Sequence, residues 1–117
     1  MDIRFEGKNI LVSGATGHLG RQLVNDYCMS GANMLVLLDT PKHKDALNDM
    51  IMQMKGQTIV KSYTADYRKS DEIHRAVEEI NKDNIMIDVL VNNAGINILK
   101  KITDMDEDTW DWVLDVN

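Results

Sequence analysis

The chain has 117 residues, 44% hydrophobic and 27% charged, with a formal net charge of −6. That length allows one small domain or part of a larger one, and the composition is that of a globular protein. The acidic balance argues against nucleic acid or an anionic membrane as partner, and no apolar run approaches the roughly 20 residues a membrane span needs.

No apolar h-region follows the opening MDIRFEGKNI, so no secretory signal is expected. Cys28 is the only cysteine and reads as a buried, inert thiol inside a helix, in keeping with a reducing cytoplasm. No metal-ligand set is read from the sequence. Repeats and linkers are also missing, and strand and helix patterns alternate from end to end.

Lys8 to Ser13 is the first predicted strand, buried through Ile10, Leu11 and Val12. It runs into a turn with Gly14, Gly17 and Gly20, and the turn opens a helix from His18 to Ser30. Bare N–H groups and the positive dipole end at such a helix start favour a pyrophosphate. The spacing is G-x-x-G-x-x-G rather than the usual G-x-G-x-x-G, so a tight turn without ligand is the alternative. Leu19, Leu23, Val24 and Tyr27 mark the expected apolar face, and Gly31 the stop. Asn33 to Leu38 is a second strand, apolar on both faces and therefore expected inside a covered sheet. Asp39 ends it.

Thr40 reads as the N-cap of the next helix, with Pro41 at its first position and its end near Lys55, before Gly56. Met50, Ile51 and Met54 are expected to fill core. Thr58 to Thr64 is a third strand nearer the sheet edge, followed by Asp66. Ser70 is expected to cap a helix to Asn81 with Ile73, Ala76, Val77 and Ile80 on its apolar face. Ile87 to Val91 is a fourth strand running into Asn92-Asn93-Ala94-Gly95. Asp106 then caps a last helix carrying Trp110, Val113 and Leu114.

Four strand–helix units with short connections predict an α/β architecture: half of a Rossmann-like, doubly wound parallel sheet in the order 3-2-1-4. Ligands bind such sheets at the carboxyl ends of the strands. Gly14–Gly20, Asp39, Asp66 and Asn92–Gly95 all fall on that rim, which points to a dinucleotide site. A carboxylate at Asp39 would accept the adenosine ribose hydroxyls and repel a 2′-phosphate, favouring NAD over NADP. Its alternatives are a solvated strand-end acid or a partner in capping the next helix. Lys42, His43 and Lys44 would soften the preference, or simply form a solvated first turn.

With these residues in place, the sequence resembles the short-chain dehydrogenase/reductase family over essentially all 117 residues, as its N-terminal cofactor-binding half. Asn92-Asn93-Ala94-Gly95 is a specific mark, as is the ending Trp110-Asp111-Trp112-Val113-Leu114-Asp115-Val116-Asn117. The resemblance implies an NAD(P)-dependent oxidoreductase interconverting an alcohol and a carbonyl. It implies that Ser13 and Gly14–Gly20 (Thr16, Gly17, His18 and Leu19 among them) hold the pyrophosphate and Asp39 the ribose. It places Asp66 at the adenine amino group, counts Tyr67 among the cofactor-binding residues, and has Asn93, Ala94 and Gly95 line the adenosine ribose and the path to the nicotinamide. Asn117 would order a water in the proton relay, as the one catalytic residue present.

Two departures stand out. Single-domain members usually carry Gly where this chain has His18, and the glycine spacing is that of extended members acting on nucleotide sugars; Asn92–Gly95 points back to the single-domain group. The family's catalytic Ser and Tyr-x-x-x-Lys pair are also not found. Tyr27, Tyr63 and Tyr67 are followed four residues on by Gly31, Tyr67 and Asp71, none of them lysine. A phenol near pKa 10 needs such a neighbour to serve at neutral pH. The alternatives are a non-catalytic nucleotide-binding module, or half of a nucleotide-sugar epimerase or dehydratase. By resemblance the last helix lies in a subunit interface, so a homo-oligomer is expected of the longer protein. The chain alone is expected to be weakly stable or to self-associate, through its unpaired fourth strand and tryptophan face.

Overall fold

The structure is a computed structural model that describes residues 3–54, 56, 58–96 and 99–117. Four strands form a parallel sheet in the order third-second-first-fourth, as predicted. The strands are β1 (Asn9–Ser13), β2 (Met34–Asp39), β3 (Ile59–Thr64) and β4 (Val89–Val91). The helices are α1 (His18–Met29), α2 (Lys44–Gln53), α3 (Ser70–Lys82) and α4 (Glu107–Val116).

Alternation along β1 and β2 divides the core in two. Ile10, Val12, Leu35 and Leu37 point to one face, where they meet Val24 of α1 and Leu47 and Met50 of α2. Leu11 and Val36 point to the other, with Tyr63, Ile80 of α3 and Ile85. A central strand with helices on both sides must be apolar at every position, which is why β1 and β2 read as continuous hydrophobic runs. Among the described residues no helix is long and apolar enough to cross a membrane.

The structure departs from the sequence reading in several places. The buried stripe of α1 is Gly20 and Val24, flanked by half-buried Leu23, Tyr27 and Cys28, and Leu19 is 61% exposed. Contact between the bare Gly20 and Ala15 sets the rotation of the helix, and that turns Leu19 outward. In α3 the Ala76–Ile80 row meets the sheet and leaves Val77 exposed.

Thr40 starts a short 3₁₀ turn, Pro41–His43, before α2, and makes no side-chain cap bond; the preceding Asp39 carboxylate takes the Thr40 N–H instead. The predicted end of this helix, Lys55, lies outside the described residues. Lys69, not Ser70, caps α3, because its carbonyl accepts the first helical bond from Ile73. β4 begins two residues later than expected, at Val89. There the Asp88 carboxylate accepts the Asn9 N–H at 2.8 Å.

Asp106 caps α4 as expected, accepting the Thr109 N–H through its side chain. No residue of α4 is buried, and Trp110 and Leu114 stand half exposed or more. The radius of gyration, 15.6 Å, exceeds the value of about 13 Å for a closed globule of this length, which agrees with α4 being thinly covered.

Candidate functional site

A cleft of about 980 Å³ opens at the carboxyl ends of the strands. Its floor is the glycine turn after β1. Gly14 adopts φ +65°, and a Cβ there would sit 2.9 Å from the Ala94 Cα, so the β1 and β4 loops touch at a point where only glycine fits. A Cβ on Gly20 would meet the Gly14 carbonyl oxygen at 2.1 Å. This close approach brings the first turn of α1 against the loop.

Gly17 is the N-cap of α1, no side chain caps the helix, and its first turn holds no acid. The N–H groups of His18, Leu19 and Gly20 have no partner within the helix and lie at the positive end of its dipole. All three residues line the cleft. The bare N–H groups fit an anionic pyrophosphate, and the glycine at position 20 lets the helix start sit close enough to the turn to present them.

Ser13 lies beneath the cleft rather than in its lining. Its Oγ accepts the Asn93 and Ala94 N–H groups, each at 3.1 Å, and donates to the Val91 carbonyl at 3.4 Å. Asn93 answers with its amide, donating to the Ser13 and Gly14 carbonyls at 3.2 Å each. Tyr67 ties the turn from the other side: its hydroxyl accepts the Gly14 N–H at 2.9 Å and donates to the Leu38 carbonyl at 3.0 Å. Burial, reinforced by the nearby Asp39 charge, pushes this phenol up to about 12, so it stays neutral and keeps both bonds. The turn is thus pinned to β2 and β4 by three side chains, Ser13, Asn93 and Tyr67, whose roles depend on the tertiary fold.

Asp39 is buried, and every donor around it belongs to the chain. Thr16 N–H (2.9 Å) and Thr16 Oγ (2.7 Å) reach one oxygen, while Thr40 N–H (2.7 Å) and His43 Nδ1 (3.0 Å) reach the other. Burial alone would raise its pKa, but these bonds, led by the Thr16 hydroxyl, hold it below the ordinary 3.8. Asp39 thus ties the glycine turn to the start of the next segment, while neither the 3₁₀ turn nor α2 has a side-chain cap bond of its own.

Asp66 pairs with Arg68 through both oxygens, at 2.9 to 3.1 Å, and that partner lowers its pKa to about 2. Arg68 also lies 6.0 Å over the Trp112 ring, linking the β3 loop to α4 across the cleft. Asn117 sits at its edge. Its Oδ1 accepts the Ile96 N–H at 3.1 Å, and its Nδ2 donates to the carbonyls of Ile96 (2.8 Å) and Val113 (2.7 Å). The side chain therefore clamps the backbone at Ile96 to the end of α4.

Gly14, Thr16, Gly17, His18, Leu19, Gly20, Asp39, Asp66, Tyr67, Asn93, Ala94 and Gly95 all line the one cleft, and Ser13 and Asn117 brace it. Arg21, Arg68, Ile96 and Trp112 line it too and were not singled out as site residues. Arg21 follows the last glycine, and its Nε donates to the Thr16 carbonyl at 2.8 Å. Its place one step after the glycine turn was a usable signal; Trp112 could be found only from the fold.

The chain matches the family model of short chain dehydrogenases over residues 8–117. It is 31% identical over 111 residues to epidermal retinol dehydrogenase 2 of Mus musculus, covering 95% of this chain and 36% of that protein. A solved structure of NAD+-bound xylitol dehydrogenase superposes with a TM-score of 0.85 at 27% identity, covering 97% of this chain and 44% of that one. L-sorbose reductase from Gluconobacter frateurii, complexed with NADPH and L-sorbose, shares the fold. Its TM-score is 0.85 at 22% identity, over 99% of this chain and 44% of that one. The chain spans less than half the length of each.

Proposed function

Because this chain belongs to the short-chain dehydrogenase family, we propose that it is the cofactor-binding part of a nicotinamide-dependent oxidoreductase acting on an alcohol/carbonyl pair. The observation that carries this is the meeting of the uncapped α1 N-terminus, the glycine turn and Asp39 on one cleft. In this reading the first turn of α1 holds the pyrophosphate, and Thr16 and Asp39 face the adenosine ribose. Asp66 and Tyr67 flank the adenine, and Asn93, Ala94 and Gly95 border the path to the nicotinamide. The cofactor supplies hydride transfer, and the chain's own residues bind and orient it.

We take NAD to be the favoured form, since a buried carboxylate beside the ribose repels a 2′-phosphate. Asn117 contributes by holding the Ile96 backbone in place. The acid/base step is assigned to residues other than these, because no tyrosine of the 117 residues is followed by lysine four positions on. Trp110 and Leu114 on α4 suit a face shared with a second copy or with further chain of the same protein.

Titration of the protein with NADH and NADPH, followed by nicotinamide fluorescence, tests the reading. Saturable binding, tighter for NADH, is the expected result. Absence of binding to either dinucleotide would overturn it.

A further inference from the structure

We propose that His43 is a specificity-determining residue of the cleft, one that occupies the Asp39 carboxylate and so blunts the choice between a free and a phosphorylated ribose 2′-oxygen. The inference rests on the dinucleotide reading above. A carboxylate has about four acceptor positions, and the chain's own donors fill those of Asp39. A ribose hydroxyl can bond to Asp39 only by displacing one of them.

Two of the four are backbone N–H groups fixed by the loops. Thr16 Oγ is held by the glycine turn and bonds to the same oxygen as its own N–H. His43 is the partner free to leave. Its side chain is 42% exposed, it lines the cleft, and it ends the short 3₁₀ turn as the N-cap residue of α2, where its side chain makes no cap bond. A carboxylate only accepts, so Nδ1 must carry the proton in this pair. Thr40 Oγ lies 3.2 Å from the same nitrogen and offers an alternative acceptor when the ribose arrives.

Two physical effects then act in the same direction. Displacing His43 taxes the binding of an unphosphorylated ribose. An imidazole N–H aimed at the carboxylate also offsets the negative field that would otherwise repel a 2′-phosphate. Both narrow the preference for NAD. Lys42 beside His43 and Arg21 across the cleft are further cations on this rim, while Asp66 and Glu72 lie toward the β3 side.

The test uses NADH and NADPH, together with 5′-AMP and adenosine 2′,5′-bisphosphate as fragments that report on the adenosine end alone. Binding is measured by calorimetry for the unaltered protein, His43→Ala and His43→Lys. His43→Ala should tighten NADH and 5′-AMP and raise the preference for the unphosphorylated ribose by about fivefold, the scale of one partly exposed charged hydrogen bond. His43→Lys, a permanent cation at that point, should lower the preference. If His43→Ala does not fold, the lysine variant carries the test, because its shift has the opposite sign. Binding of both dinucleotides with a ratio unmoved by either substitution overturns this inference alone. No binding to the unaltered protein overturns the dinucleotide reading and this inference with it.

Discussion

Gly20→Ala should loosen the whole cleft. The added methyl would lie 2.1 Å from the Gly14 carbonyl oxygen and 2.9 Å from the Ala15 Cα, both backbone atoms that cannot rotate away. Favourable contact distances lie near 3.5–4.0 Å, so the N-terminal end of α1 must retreat by about 1 Å. A gap of that size forfeits a quarter to a half of the dispersion energy on the helix underside. That underside includes Val24, fully buried, and the half-buried Leu23, Tyr27 and Cys28. Overpacking of this kind costs roughly 1–3 kcal/mol, and the lost contacts add a similar amount. The better helix propensity of alanine returns about 1 kcal/mol. The net is a destabilisation of about 3 kcal/mol, which lowers Tm by about 10 °C for a domain of this size. The same displacement moves the first-turn N–H groups, so NADH affinity should fall more than about tenfold. Thermal denaturation followed by circular dichroism, with NADH titration, measures both. Gly17→Ala is the control: its methyl meets only the Gly14 oxygen, at 3.3 Å, and should cost less than about 1 kcal/mol. A Gly20→Ala protein that melts and binds NADH like the parent would refute the close helix–turn contact.

Other expectations concern the braces. Tyr67→Phe leaves the Gly14 N–H without its acceptor, while the Leu38 carbonyl keeps only the Ala15 N–H at 3.3 Å, and should cost about 1–2 kcal/mol in denaturant unfolding, with weaker NADH binding. Ser13→Ala strips an acceptor from two N–H groups and should cost about 2 kcal/mol; an unchanged midpoint would contradict the stapling role. Asn117→Ala should speed amide exchange at Ile96 while leaving β1 and β2 protected. The pH dependence follows from Asp39, whose pKa is held below 3.8 in the fold. The unfolded chain binds the proton first as pH falls, so this stabilisation is present at neutral pH and drains away from about pH 4 downward. Asp39→Asn should therefore be less stable at pH 7 and show a flatter acid limb in pH-dependent unfolding.

The order of elements and the sheet topology were legible in the sequence, since both rest on local signals. Continuous apolar runs marked β1 and β2 as central, and β4 loops such as Asn93-Ala94-Gly95 announced themselves by composition. The residues of the cleft were legible too, because a parallel sheet sends the end of every strand to one rim. Boundaries were less so: the Lys69 carbonyl and the Asp39 carboxylate shifted helix starts through bonds to neighbouring residues, and β4 starts late beside the Asp88 carboxylate, whose partner Asn9 is 79 residues away.

What the sequence determined by itself, then, is where the backbone turns and which positions meet at the strand ends; periodicity and glycine placement act over a few residues and need no partner. What only the tertiary structure decided is how the side chains there are engaged. Asp39 could be read as a ribose acceptor or a cap, and the fold surrounds it with Thr16, Thr40 and His43. Leu19 belonged to the apolar stripe by spacing, yet the contact of Gly20 with Ala15 rotates it into the cleft. Tyr67 carried no local signal for gripping Gly14, 53 residues away in sequence. Hydrogen bonds and close contacts depend on distances of a few tenths of an ångström between segments far apart in sequence, and only the packed sheet sets those distances.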